Sequence, residues 1–186
     1  LPEASFDERL KGLDLGDVRM SFRVTYPEVK IKLVARGSSL VARGSLLVAV
    51  EKKIRQRIGE YIFGVDDETI AEAVGKILKK KGMRISVAES CTGGRISDLI
   101  TNVSGSSEWF ECAIVCYSNN SKVQNLGVKD ATLKKYGAVS AECAKEMAEG
   151  VRGISGAALG LAVTGIAGPS GGAEAKPLGT VHIALA

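Results

Sequence analysis

The apolar run Ile85-Ser86-Val87-Ala88 passes directly into Glu89-Ser90-Cys91-Thr92-Gly93-Gly94 and then into residues with helical spacing. Such a run, stopped by hydroxyls and glycines, reads as a buried strand ending in a tight turn. A helix that starts straight from that turn points its first N–H groups outward, where its dipole also favours negative charge. The stretch therefore predicts a strand–turn–helix unit with an anion or oxyanion site at the turn, lined by Thr92, Gly93 and Gly94.

The residues around it repeat the alternation. A helix capped by Asp66-Asp67 carries Ile70, Ala73, Val74, Ile77 and Leu78 and closes on Lys79-Lys80-Lys81 and Gly82. Strand 84–88, helix 93–103, strand 109–118, a short helix from Ser121, helix 140–154 and strands 158–164 and 179–186 follow. Strands alternating with helices imply a layered α/β/α sandwich, in which sites gather at strand ends. Residues 88–94, 102–109, 117–122 and 164–169 are polar or glycine-rich ends of this kind, and together they suggest one pocket of hydroxyls, glycines and a lysine.

Residues 1–64 read as a separate, small α+β module, which divides the chain into 1–64 and 65–186. A short helix near Ser5–Lys11 is followed by strand Met20–Tyr26, a Pro27 turn and strand Val29–Ala35, where Val29, Ile31 and Leu33 alternate with Lys30 and Lys32. A near-repeat comes next, Leu33-Val34-Ala35-Arg36-Gly37-Ser38 and Leu40-Val41-Ala42-Arg43-Gly44-Ser45, too short to be a solenoid unit. Ser45 is then placed to cap a helix with Leu47, Val50, Ile54 and Ile58 on one face.

Composition removes several classes of function. With 186 residues, 45% of them hydrophobic, the chain can bury roughly 70% of its unfolded surface without metals or disulfides. The glycine-broken region from Gly156 to Gly168 is its most apolar stretch and is shorter than the about 18 residues a membrane span needs, so no membrane association is expected. Of the net charge of +4, all the excess lies in residues 1–65, which hold 12 lysines and arginines against eight acids. That modest bias reads as a solvated basic face, and nucleic acid is not the expected partner. Cys91, Cys112, Cys116 and Cys143 are dispersed, and His182 is the single histidine, so buried free thiols in a reducing, cytoplasmic setting are expected, with no metal and no cofactor.

The motifs narrow the chemistry further. GxxxxGK[ST] is absent, and no GxGxxG follows a strand. His182 lies in an apolar strand and is a poor triad member. The nucleophile candidates are therefore hydroxyls, and the base candidate is Lys122, in the first turn of a helix capped by Asn119 or Asn120, where the dipole disfavours an ammonium.

AESCTGG, GSSEWF, Tyr117 to Lys122, GAVS and TGIAGPSGG followed by KPLGTV resemble, in matching order, the C-terminal domain of the CinA family of competence/damage-inducible proteins. The resemblance covers about residues 66–186. Residues 1–64, with YPEVKIKL, are similar to the KH-like linking module of long family members, although no GxxG loop is present and RNA binding does not follow. The family chain normally continues past the last strand into an arginine-bearing segment and a closing helix, so continuation beyond Ala186 is expected.

The resemblance implies nicotinamide-nucleotide amidohydrolase activity, in which nicotinamide mononucleotide and water give nicotinate mononucleotide and ammonia. By motif position it implies Ser107 as nucleophile, with Tyr117 and Lys122 as the proton-handling pair and Ser90 in support. Thr164, Gly165, Ala167 and Gly168 fall on substrate-lining positions, and a homo-oligomer is expected. A non-catalytic nucleotide-binding or assembly module is the rival expectation.

Overall fold

The structure, a computed structural model, describes residues 2–25, 27–37 and 39–186. The chain forms two compact units, Leu1–Asp67 and Glu68–Ala186.

In the first unit, α1 (Glu3–Leu10) precedes an antiparallel hairpin of β1 (Val18–Thr25) and β2 (Glu28–Ala35), and α2 (Leu40–Ile58) follows. The alternation of β2 turns Ile31 and Leu33 to one face, where they pack with Leu10, Val18, Val50, Ile54 and Ile58. Helix α2 begins at Leu40, after Ser39, not at Ser45. The second copy of the near-repeat is thus the first turn of a helix, whereas Leu33–Ala35 of the first copy is strand.

The second unit is a four-stranded sheet with helices on both faces. Its elements are α3 (Ile70–Lys81), β3 (Ile85–Glu89), α4 (Arg95–Thr101), β4 (Phe110–Val115), α5 (Asn119–Leu126), α6 (Asp130–Tyr136), α7 (Ala141–Ser155), β5 (Leu159–Gly165) and β6 (Val181–Leu185). Strand order is β4-β3-β5-β6; β3, β4 and β5 run parallel and β6 returns antiparallel on β5. Central strand β3 is buried along its whole length, which is why its residues read as a continuous apolar run and not as an alternation.

Each helix end has a local cause. Thr69, not Asp66-Asp67, caps α3, through a reciprocal capping box with Glu72, and Gly82 ends the helix in the left-handed conformation. Ser140 caps α7, accepting from the Cys143 N–H at 3.2 Å, and Ser118, rather than Asn119 or Asn120, caps α5. Helix α6 has no counterpart among the expected elements. One core on the α7 face holds Ala88, Cys116, Leu126, Cys143, Met147, Val151 and Ala162; the other face holds Leu78, Ile85, Val87, Ile100 and Trp109. On that second face α3 passes over the Trp109 ring at Gly75, where an added Cβ would lie 2.7 Å from the ring.

Candidate active site

The parallel strands place everything that follows them at one end of the sheet and everything that precedes them at the other. Ser90, at the end of β3, anchors to β5 through its N–H to the Val163 carbonyl at 3.0 Å. Lys122, one turn into α5, reaches the same end from the following element. Its Nζ lies 2.9 Å from Ser90 Oγ, 2.8 Å from the Cys116 carbonyl and 2.9 Å from the Tyr117 carbonyl. The side chain is only 1% exposed, and among the described residues no carboxylate pairs with it.

Burial of this kind disfavours the ammonium and lowers the Lys122 pKa from its ordinary value, although the thiols of Cys143, Cys116 and Cys91 oppose the shift. Nζ donates to Ser90 Oγ and to both carbonyls, which an ammonium's three N–H groups satisfy. In the neutral form that burial favours, two N–H donors stay on the carbonyls and the lone pair turns to the Ser90 hydroxyl, the arrangement of a nucleophile held by its base.

Glu89, adjacent to Ser90 and fully buried, organises the turn. Its carboxylate accepts from the N–H groups of Gly94 at 3.0 Å, Ile96 at 3.1 Å and Ser97 at 2.9 Å, and from the Ser97 hydroxyl. Burial alone would raise its pKa, but the hydroxyls of Ser97 and Thr92 and these backbone donors outweigh that cost and hold it below the ordinary carboxylate value. The first turn of α4 thus receives its negative charge from the chain itself.

This corrects the expectation that Gly93 and Gly94 offer free donors to a ligand. The Gly94 N–H goes to Glu89 and the Gly93 N–H goes to the Ser90 carbonyl at 3.2 Å. Both glycines have positive φ, +58° and +99°, so their role is to let the turn close. The Thr92 hydroxyl is buried against Glu89 and does not line an open site. What remains is the N–H pair of Cys91 and Thr92, which follow Ser90 directly: the Cys91 N–H lies against its own thiol, and the Thr92 N–H finds no acceptor among the described residues.

Ser107 is not brought to Lys122. It lies in a single 3₁₀ turn (Ser106–Glu108) before β4, whereas Lys122 lies after it. The adjoining Trp109 carbonyl accepts from the N–H of Ile85, the first residue of β3. Ser107 therefore stands at the opposite end of the sheet, separated by the six residues of β4, or about 20 Å of extended chain. Within one chain the expected nucleophile Ser107 is thus not brought to Lys122, whereas the supporting Ser90 is. Tyr117 meets Lys122 Nζ through its backbone carbonyl, and its side chain is 78% exposed.

Thr164, the penultimate residue of β5, has its hydroxyl committed, donating to the Ala138 carbonyl at 2.8 Å. Gly165 lies against Cys91, where an added Cβ would be 3.1 Å from Sγ. Ala167 and Gly168 are exposed in the loop between β5 and β6. All four cysteines are free, and burial raises the thiol pKa of Cys91 and Cys143. Among the described residues no cluster of three or more His, Cys, Asp or Glu is placed to hold a metal ion, and no helix is long and apolar enough to cross a membrane. Sequence reasoning missed Glu89; its signal was a carboxylate next to a glycine-opened helix start.

Residues 67–186 match the model of the CinA C-terminal domain. The chain belongs to the CinA family. A CinA-like protein from Geobacter sulfurreducens is 43% identical over 188 residues, covering 100% of this chain and 46% of that protein. Another from Kosmotoga olearia is 47% identical over 158 residues, 85% of this chain and 38% of the relative. The chain thus spans less than half the length of these curated CinA relatives. Among solved structures, a competence/damage-inducible protein from Agrobacterium tumefaciens is similar with a TM-score of 0.62 and 43% identity, covering 67% of this chain and 75% of that one. A CinA superfamily protein from Escherichia coli gives 0.61 and 31%, over 67% and 74%. These neighbours share the mixed α/β sandwich.

Proposed function

We propose that this CinA domain hydrolyses the carboxamide of nicotinamide mononucleotide, giving nicotinate mononucleotide and ammonia, with Ser90 as nucleophile and Lys122 as base. The family resemblance supplies the substrate. The observation that carries the chemistry is the 2.9 Å approach of a buried, carboxylate-free lysine to Ser90 Oγ.

Neutral Lys122 takes the Ser90 proton as Oγ attacks the carboxamide carbon. The oxyanion that forms takes hydrogen bonds from the N–H groups of Cys91 and Thr92, backbone dipoles fixed by the turn. The Lys122 ammonium then gives its proton to the departing nitrogen, which leaves as ammonia and a Ser90 ester. Water, deprotonated by the regenerated amine, cleaves that ester and returns the Ser90 hydroxyl. The two carbonyls of Cys116 and Tyr117 keep Nζ in place through the cycle.

Ammonia release from nicotinamide mononucleotide tests the proposal. Turnover by the parent, its loss in Ser90→Ala, and trapping of an ester on Ser90 are the expected results. Nucleotide binding without ammonia release would favour the non-catalytic module instead.

A further inference from the structure

The 12 lysines and arginines and eight acids of residues 1–65 are not mixed evenly over the first unit. Its two-stranded sheet sorts them by face. Met20, Phe22, Ile31 and Leu33 turn to the core shared with α2, so the alternation turns Arg19, Arg23, Lys30 and Lys32 outward, and all four are exposed. The register sets Arg23 directly across from Lys30 and Ser21 across from Lys32, with Arg19 two residues before Ser21 on its strand. Positions two apart on a strand are separated by about 7 Å, and paired positions by about 5 Å. Four positive charges therefore share one patch. Glu28, across from Thr25 at the hairpin end, is the one acid of the two strands on this face, and among the described residues it makes no ion pair.

Elsewhere in this unit cations meet acids: Lys53 with Asp14 at 2.9 Å, Arg55 with Glu51 at 2.8 Å and Arg9 with Glu60 at 3.8 Å. Among the described residues none of the four ribbon cations does so. Like charges set directly across a ladder destabilise it, so Arg23 and Lys30 oppose the sheet they belong to. Guarding a sheet edge against pairing needs charge, but not charge of one sign. A single-sign patch on an uncovered face is an electrostatic footprint for a polyanion. The residues between the cations select which one. Ser21 and Val34 supply neither the aromatic anchors of a protein interface or a single-strand stacking platform nor the apolar wedge that a membrane surface takes up. Evenly spaced cations without such anchors suit a rod of evenly spaced phosphates. The major groove of B-DNA, about 12 Å wide, admits a two-stranded ribbon, whereas that of duplex RNA is too narrow and deep.

We infer that the outer face of the β1–β2 hairpin docks on the phosphate backbone of duplex DNA through Arg19, Arg23, Lys30 and Lys32, without preference for sequence. This sets aside the expectation that the basic excess is only a solvated face. Ser21 and Val34 offer no bidentate contact to a base, so the phosphates carry the affinity. The inference stands apart from the carboxamide chemistry of the second unit.

The experiment titrates the chain into short fluorescent DNA duplexes of two unrelated sequences and reads anisotropy across a salt series. Both duplexes should bind alike. With four phosphates engaged, affinity should fall about 10²-fold between about 50 and 200 mM salt, a slope of about −3.6 in log K against log salt. Arg19→Gln, Arg23→Gln and Lys30→Gln should each lower the magnitude of that slope by about 1, and Arg23→Gln with Lys30→Gln by about 2. Lys53→Gln removes the same charge from a paired lysine of α2 and should leave the slope at the parent's value. Because Arg23→Gln and Lys30→Gln relieve an opposed pair, their melting temperatures should equal or exceed the parent's. Arg19 faces Val34, so Arg19→Gln loses the charge without that relief and decides the matter if the other two melt early. The inference is overturned by no binding at about 50 mM salt, by a slope that Lys53→Gln lowers as much as Lys30→Gln does, or by a preference for one sequence. Duplex RNA, polyglutamate or phosphatidylserine vesicles bound more tightly than duplex DNA would give the face to another partner and overturn it as well.

Discussion

The two ends of the same sheet each present a serine with a lysine near it, and they differ in every respect that matters for reactivity. Where β3 and β4 begin, Ser107 is exposed and the neighbouring Lys79 pairs with Glu108 at 2.8 Å, itself largely exposed. Where they finish, Ser90 meets a lysine that is buried, unpaired and held by two carbonyls. A surface ion pair is worth at most about 1 kcal/mol and leaves the ammonium a poor base. A buried amine without a counterion is pushed toward its neutral form. The residue types are alike; solvent exposure and the neighbouring carboxylate set the two lysines apart, and the proposed chemistry uses the buried one.

The largest effect that would break this contrast is at the serines. Ser90→Ala should abolish acyl-enzyme formation, and Ser107→Ala should turn over within about threefold of the parent, well short of the about 10²-fold or more that loss of a proton-transfer group costs. The reverse result, read as ammonia release from nicotinamide mononucleotide, would return the nucleophile to the other end of the sheet.

Next come the lysines. Lys122→Met should lower kcat by about 10² to 10⁴, while Lys79→Met leaves it within the same narrow range as Ser107→Ala. Stability should move the other way. The folded-state pKa of Lys122 lies below its unfolded value of about 10.4, so between those two values the unfolded chain binds more protons and stability rises with pH. Below the folded pKa the full cost of the buried charge is present. Lys122→Met removes that cost, and thermal melts should show an equal or higher Tm at neutral pH and a flatter alkaline rise. A lower Tm at every pH would mean that the amine stabilises the fold.

A smaller effect sharpens the assignment of the base. With Lys122 as the group that must be neutral, kcat/KM should climb by up to about tenfold per pH unit below its pKa and level off above it, at a midpoint under about 10.4. A flat profile across the alkaline range in the parent would remove lysine from the proton transfer.

The smallest effect on rate belongs to the end without chemistry. Gly75→Ala forces a methyl into the Trp109 ring, and overpacking of this kind costs about 1–3 kcal/mol. Denaturant melts should report that loss, whereas kcat at a temperature where the variant is folded should be unchanged. A rate loss as large as that of Lys122→Met would mean that the two ends are coupled.

Much of this was legible in the residues. The apolar run of β3, the capped and amphipathic α7 and the alternation of strand and helix all carry local signals, and the family resemblance marked Ser107, Tyr117, Lys122 and Ser90 as belonging together. The choice between Ser90 and Ser107 was not carried by motif order, since both lie in hydroxyl-bearing turns beside glycine. Strand direction separates them: Ser90 follows a parallel strand and Ser107 precedes one. The role of Glu89 was hidden for a different reason. A helix start looks the same in sequence whether its donors await a ligand or already hold a carboxylate from the preceding strand, and only the fold brings Glu89 back onto residues 94–97. At Tyr117 the backbone carbonyl accepts from Lys122, a contact that the sequence does not mark.

The near-repeat in the first unit has a consequence for how that unit finds its register. Leu33-Val34-Ala35 pairs with Met20, Arg19 and Val18 on β1, and the same three letters return seven residues later at the start of α2. A chain that pairs the second copy in place of the first keeps those three cross-strand partners on their proper faces. The longer connection costs little, because loop entropy grows only with the logarithm of length. The decoy fails further along the ladder, where Phe22 would face Ser38 in place of Ile31, and Val24 would face Arg36 in place of Val29. It would also strip the first turn from α2. The competition between these two hairpins is therefore settled by residues outside the repeated letters, so a substitution at Ile31 threatens correct registration more than any change within the repeat itself.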